Sequence, residues 1–138
     1  MDAKTPVCRA IGLLMLLAAF GALSGCAQRT ADYYADFLMN EDILMRFEVC
    51  YADVRDGHDT AYTEGELRAL QQDMEYGYRC GDEEAARATD CFREAAALLA
   101  EAHRAKEPLR SDLLAQAREV FDRGWRISAD VREGAYEE

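Results

Sequence analysis

From Thr30 onward the chain places its apolar residues at helical intervals. Tyr33, Phe37, Asn40, Leu44, Phe47, Tyr51 and Val54 recur at alternating spacings of four and three, a heptad stripe with one polar member. A second row, Tyr34, Leu38, Met45 and Val49, widens that face and predicts a well-buried first helix from Thr30 to about Arg55. The stretch DGHDT, Asp56 to Thr60, breaks the pattern with turn residues. A second helix is expected near Thr63, whose spacing to Glu66 fits a capping box, with Leu67, Leu70, Met74 and Tyr78 as its stripe. Gly81 suits a left-handed stop.

The third helix opens with Asp82, Glu83 and Glu84, which favour the positive end of a helix dipole. Its stripe is Ala85, Ala88, Phe92, Ala95, Leu99 and Ala102, and so many alanines predict close approach of a neighbouring helix axis. Pro108 stops that helix and helps start a fourth. There the stripe is Leu113, Ala117, Val120, Gly124, Ile127 and Val131, flanked by Leu114, Phe121 and Trp125. With few β-branched residues and short connections, the expected fold is all-α, an up-down bundle of about four helices. A tetratricopeptide-like pair of hairpins is the alternative. Ala-x-x-x-Phe occurs at Ala88/Phe92 and Ala117/Phe121, but 29 residues apart rather than about 34.

The region ahead of the helices reads differently. Lys4 and Arg9 precede an uncharged apolar run from Ala10 to Leu23, too short to span a bilayer comfortably, and small residues follow. That is the layout of a secretory signal peptide, and its end, Leu23-Ser24-Gly25-Cys26, resembles the lipobox of bacterial lipoproteins. The resemblance implies cleavage after Gly25, a thioether from Cys26 to diacylglycerol and acylation of the new amino group. Because Ala27 rather than Asp follows, the sorting habit of that class favours the outer membrane, facing the periplasm, over the inner one. The expected organisation is thus a cleaved leader over 1–25, a lipid-anchored tether over 26–30, a helical domain over 31–133 and a frayed tail over 134–138.

Charge and cysteines refine this picture. The leader holds Asp2, Lys4 and Arg9 out of 27 acidic and 16 basic residues, which leaves residues 26–138 at a net charge of −12. Such a chain has no footprint for nucleic acid, which needs clustered Lys and Arg. It would be repelled by anionic lipid, so the acyl chains on Cys26 must hold it to the bilayer. Once Cys8 leaves and Cys26 is acylated, Cys50, Cys80 and Cys91 remain in an oxidising compartment. With three antiparallel helices in turn and 1.5 Å rise per residue, Cys50 and Cys91 reach similar heights. A Cys50–Cys91 bridge with Cys80 unpaired is therefore expected; if the first and third helices are not neighbours, Cys80–Cys91 becomes the alternative.

Candidate chemistry is sparse. His58 and His103 are the two histidines, and a triad built from Ser111 or Ser128 would need serines that fit a helix cap and a helix interior better. Around Gly57 the EF-hand register fails, because Ala52, Val54 and Thr63 stand where carboxylates are required. The expectation is no catalytic residue, no metal ligand and no cofactor. Trp125 beside Phe121 is a candidate partner contact, with core packing as the other reading. Together these features predict a non-enzymatic, membrane-anchored lipoprotein that binds or helps assemble another envelope protein. Small lipid-anchored helical domains with an inter-helix disulfide resemble the pilotins of type II secretion, so a pilotin-like accessory is an alternative; a small metal-binding protein or enzyme is another.

If Cys26 is the anchor, metabolic labelling with an alkynyl palmitate analogue should mark the chain and Cys26→Ser should abolish the label. Labelling that survives Cys26→Ser would overturn the lipobox reading.

Overall fold

The computed structural model describes residues 32–39, 41–58 and 60–133. The leader, Cys26, Asn40, Asp59 and the tail over 134–138 lie outside the described residues. The fold is all-α, as expected, a small helical bundle. Its elements are α1 (residues 32–39), α2 (Ile43–Asp56), α3 (Thr60–Asp73), α4 (Glu75–Tyr78), α5 (Glu83–Arg104) and α6 (Leu109–Glu133).

The expected first helix is in fact two. The chain turns at Glu41 and Asp42, and Asp42 sits in the left-handed region at φ 49°, a conformation that Asp tolerates better than most residues. This break shifts the helical phase. Tyr34, Phe37 and Leu38 are buried on α1, and the buried row then continues through Ile43, Phe47, Cys50 and Val54. Leu44, Met45 and Val49, expected inside, are exposed instead. The second helix also begins earlier, at Thr60, so Thr63 is a buried interior residue rather than a cap. Gly57, at φ 69°, closes α2, and its N–H reaches the Asp53 carbonyl.

α5 and α6 form the tightest pair. Asp82 caps α5 by accepting from the Ala85 N–H at 2.8 Å. Every member of the expected α5 stripe is buried, and the alanines let α6 come close. A Cβ on Gly124 would lie 2.7 Å from Cys91 Cβ and 3.0 Å from the Ala88 carbonyl oxygen, so only glycine fits there. Ala88/Phe92 and Ala117/Phe121 face each other as the two sides of this single hairpin, with Phe92 and Phe121 ring centroids 5.0 Å apart. They are not equivalent positions of successive hairpins, which removes the pattern that suggested a tetratricopeptide array.

α2 joins the hairpin through Phe47, stacked on Phe121 at 3.8 Å between centroids and 9° between planes. Arg118 of α6 spans the same seam: its guanidinium pairs with Glu48 through both nitrogens and lies 4.3 Å from the Tyr51 ring centroid. α1 packs on α4 and α5. Thr89 donates its hydroxyl proton to the Ala85 carbonyl at 2.7 Å, so the buried Tyr34 hydroxyl is the donor in its 3.1 Å bond to Thr89. A Cβ on Gly77 of α4 would lie 2.5 Å from Thr89 Oγ1 and 3.0 Å from a Phe37 ring carbon, which makes this a second glycine-dependent approach.

Gly124→Ala should destabilise the fold by about 1–3 kcal/mol, through forced separation of α5 and α6. Gly65→Ala, inside α3 with open space around its Cβ position, should stabilise it by about 0.5–1 kcal/mol. Thermal unfolding of both variants checks the contrast; equal effects would mean that the α5–α6 approach is looser than described.

Candidate functional site

Of the residues singled out in the sequence, Cys26 lies outside the described residues and the others are dispersed. Cys50, Cys80 and Cys91 are all free thiols, and the expected Cys50–Cys91 bridge is not formed. Phe47 of α2 and Phe92 of α5 meet on the same Phe121 ring, but the cysteines near them face different elements. Cys50 lies on the α3 side of α2, within the field of Glu66, whereas Cys91 faces Gly124 of α6. Cys80 is half-buried and its thiol donates to the Gly77 carbonyl at 3.2 Å.

Burial raises all three thiol pKa values, that of Cys50 to about 11, with the Glu66 and Asp53 carboxylates adding to it. Each is a poor nucleophile near neutral pH, since the thiolate is the reactive form.

Phe121 is only 2% exposed and cannot meet a partner; its ring is occupied by Phe47, Phe92 and Trp125. The candidate contact is corrected to a core hub. Trp125 is half-buried, stacked on Phe121 on one side, with the Arg132 guanidinium 4.2 Å from its ring centroid.

The serines and histidines do not assemble. Ser111 donates to Glu107 at 2.7 Å as a local helix-start contact, and the buried Ser128 donates to the Trp125 carbonyl at 2.8 Å. His58 stands 3.9 Å from Asp53 in the α2–α3 turn, and His103 lines a separate cleft between α3 and α5. Among the described residues no group of three or more His, Cys, Asp or Glu is placed to hold a metal ion.

Three features escaped the sequence reading. The first is a charge cluster on Arg46. Its Nε donates to Glu66 at 2.7 Å and its Nη1 to Asp73 at 2.9 Å, with Glu41 a further 3.6 Å contact. Burial disfavours the Arg46 charge, but the Glu66 and Asp73 carboxylates outweigh that and hold its pKa above the ordinary value. The second is Tyr78, whose hydroxyl donates to Asp90; burial and that neighbouring carboxylate push its pKa up to about 12.

The third is a cleft of about 280 Å³ lined by Tyr33, Asp36, Phe37, Glu41 and Tyr76. α1 supplies Tyr33, Asp36 and Phe37 at i, i+3 and i+4, so one helical face forms a wall. The turn after α1 adds Glu41 and α4 adds Tyr76. The Tyr33 hydroxyl donates across to the Tyr76 carbonyl at 3.5 Å. Only the helix break at Asp42 and the turn at Met74 bring these five together, and neither carries a Gly or Pro signal.

Exposed large apolar side chains are unevenly distributed. Of the eight among the described residues, Tyr33, Met39, Leu44, Met45 and Val49 fall within 33–49, on α1 and α2; Met39 and Met45 are 68% and 62% exposed. No described helix is long and apolar enough to cross a membrane. No protein-family model matches the chain, nor does any curated protein or solved structure.

In denaturant without reductant, Cys50, Cys80 and Cys91 should all take up iodoacetamide; in the native protein at pH 8, Cys80 should react first and the 1%-exposed Cys50 last. Peptide mass mapping reads both. A Cys50–Cys91 bridge would leave Cys80 alone modified in denaturant.

Proposed function

We propose that this chain is a lipid-anchored helical protein of the cell envelope that acts without catalysis, binding or helping to assemble another envelope protein. Two things support the reading together. The lipobox-like Leu23-Ser24-Gly25-Cys26 stands five residues ahead of α1, and extended chain reaches about 3.3–3.6 Å per residue, so the domain is held close to a membrane. The observation that carries most weight is structural: among the described residues, five of the eight exposed large apolar side chains belong to α1 and α2. Exposed apolar surface concentrated in one region marks interaction sites more often than scattered single residues do.

In-cell crosslinking of the tagged full chain, with partners identified by mass spectrometry, tests this. The expected result is one stoichiometric envelope protein whose capture is lost in Cys26→Ser and weakened in a Met45→Lys/Val49→Lys double variant. Both substitutions lie on the outer face of α2, so the fold should survive them. Recovery of abundant lipoproteins alone, unchanged by either variant, would overturn the reading.

A further inference from the structure

We propose that the cleft between α1 and α4 is a receptor for a cationic side chain, lysine or arginine, presented by a partner protein. The proposal rests on the binding-partner reading above and gives that partner a chemistry. The lining holds two tyrosines, one phenylalanine and two carboxylates, and no basic residue. Aromatic faces attract a cation within about 6 Å of the ring centroid, and carboxylates close the rest of its shell. Arg79, which does not line the cleft, already holds its guanidinium 4.6 Å from the Tyr76 ring centroid, so a partner's cation would share that ring with it or replace it there.

The carboxylates are available. Asp36 is exposed and has no hydrogen-bond or ion-pair partner among the described residues. Glu41 shares Arg46 only at 3.6 Å, while Glu66 and Asp73 satisfy that guanidinium at 2.7 and 2.9 Å. The buried Phe37 gives the cleft an apolar floor against which the methylene stem of a long basic side chain can lie. A space of about 280 Å³ admits a single side chain rather than a helix or a strand. The surrounding protein agrees in sign, with a net charge of −11 on the whole sequence.

The test uses the full chain in detergent micelles with ring-labelled tyrosines. Nα-acetyl-arginine amide is titrated against its neutral near-isostere, Nα-acetyl-citrulline amide, and followed by tyrosine ring resonances. Tyr33 and Tyr76 should shift saturably with the arginine compound, and the citrulline compound should bind about tenfold more weakly or not at all. Asp36→Asn and Tyr76→Leu should each weaken arginine binding about fivefold, the second by removing the aromatic face while keeping an apolar wall. Tyr62→Leu, on exposed α3 surface outside the cleft, should leave it unchanged.

Equal binding of citrulline, or shifts at Tyr62 as large as those at Tyr33, would overturn the cleft. The in-cell crosslink separates this from the broader reading. A partner captured equally by wild type and Asp36→Asn sinks the cleft alone. Arginine binding at Tyr33 and Tyr76 with no partner captured keeps a cation site and sinks the adaptor.

Discussion

Phe121 decides whether this chain has one core or two. The α5–α6 hairpin could bury its alanines by itself, but α2 has only a narrow buried row to offer. The stack of Phe47 on Phe121, with Phe92 tilted against the same ring, welds α2 to both halves of the hairpin. Such aromatic pairs contribute about 0.5–1.5 kcal/mol beyond the area they bury. α3 then closes the side that α2 leaves open, and α1 and α4 settle over the end of α5. Arg118 seals this seam from outside, pairing with Glu48 and covering the Phe47 and Tyr51 rings.

Close backbone approach is the second constraint. Glycine at 124 lets α6 lie against Cys91 and Ala88, and glycine at 77 lets Thr89 and Phe37 pack over α4. Thr89 links the two regions, since its hydroxyl donates within α5 while accepting from Tyr34. Small residues thus concentrate contact where the elements cross, and the large apolar side chains fill the space between the crossings. α2 nevertheless leaves three large apolar side chains on the surface, Leu44, Met45 and Val49.

The helical class, the stripes of the last two helices and the Asp82 start were legible because each rests on local periodicity or a local cap. What sequence reasoning lost was lost at two breaks. Glu41-Asp42 and Met74 interrupt helices without Gly or Pro, and a heptad count run through the first break assigns Leu44 and Met45 to the wrong face. The signal was present but weak: Asn40-Glu41-Asp42 sets two turn-favouring residues beside an acid. The disulfide expectation failed for another reason. Rise per residue fixes height along an axis, but the facing direction of Cys50 depends on where Phe47 points, and Phe47 points to α6. Arg46 and the cleft beside Tyr33 could not be foreseen, because their residues come from three elements whose placement depends on those breaks.

The hydrogen bond from Tyr34 to Thr89 carries a mechanical consequence. A pull on the chain ahead of α1 does not run along the helix to the weak turn at Asp42. It meets Tyr34 within the first turn and passes into α5, the helix with the most buried residues, with Phe37 wedged on Gly77 one turn later. Tension applied at the amino end is therefore shunted straight into the core, and the break at residues 41–42 stays slack. A domain hung by that end would swing as one rigid piece instead of unravelling from its first helix.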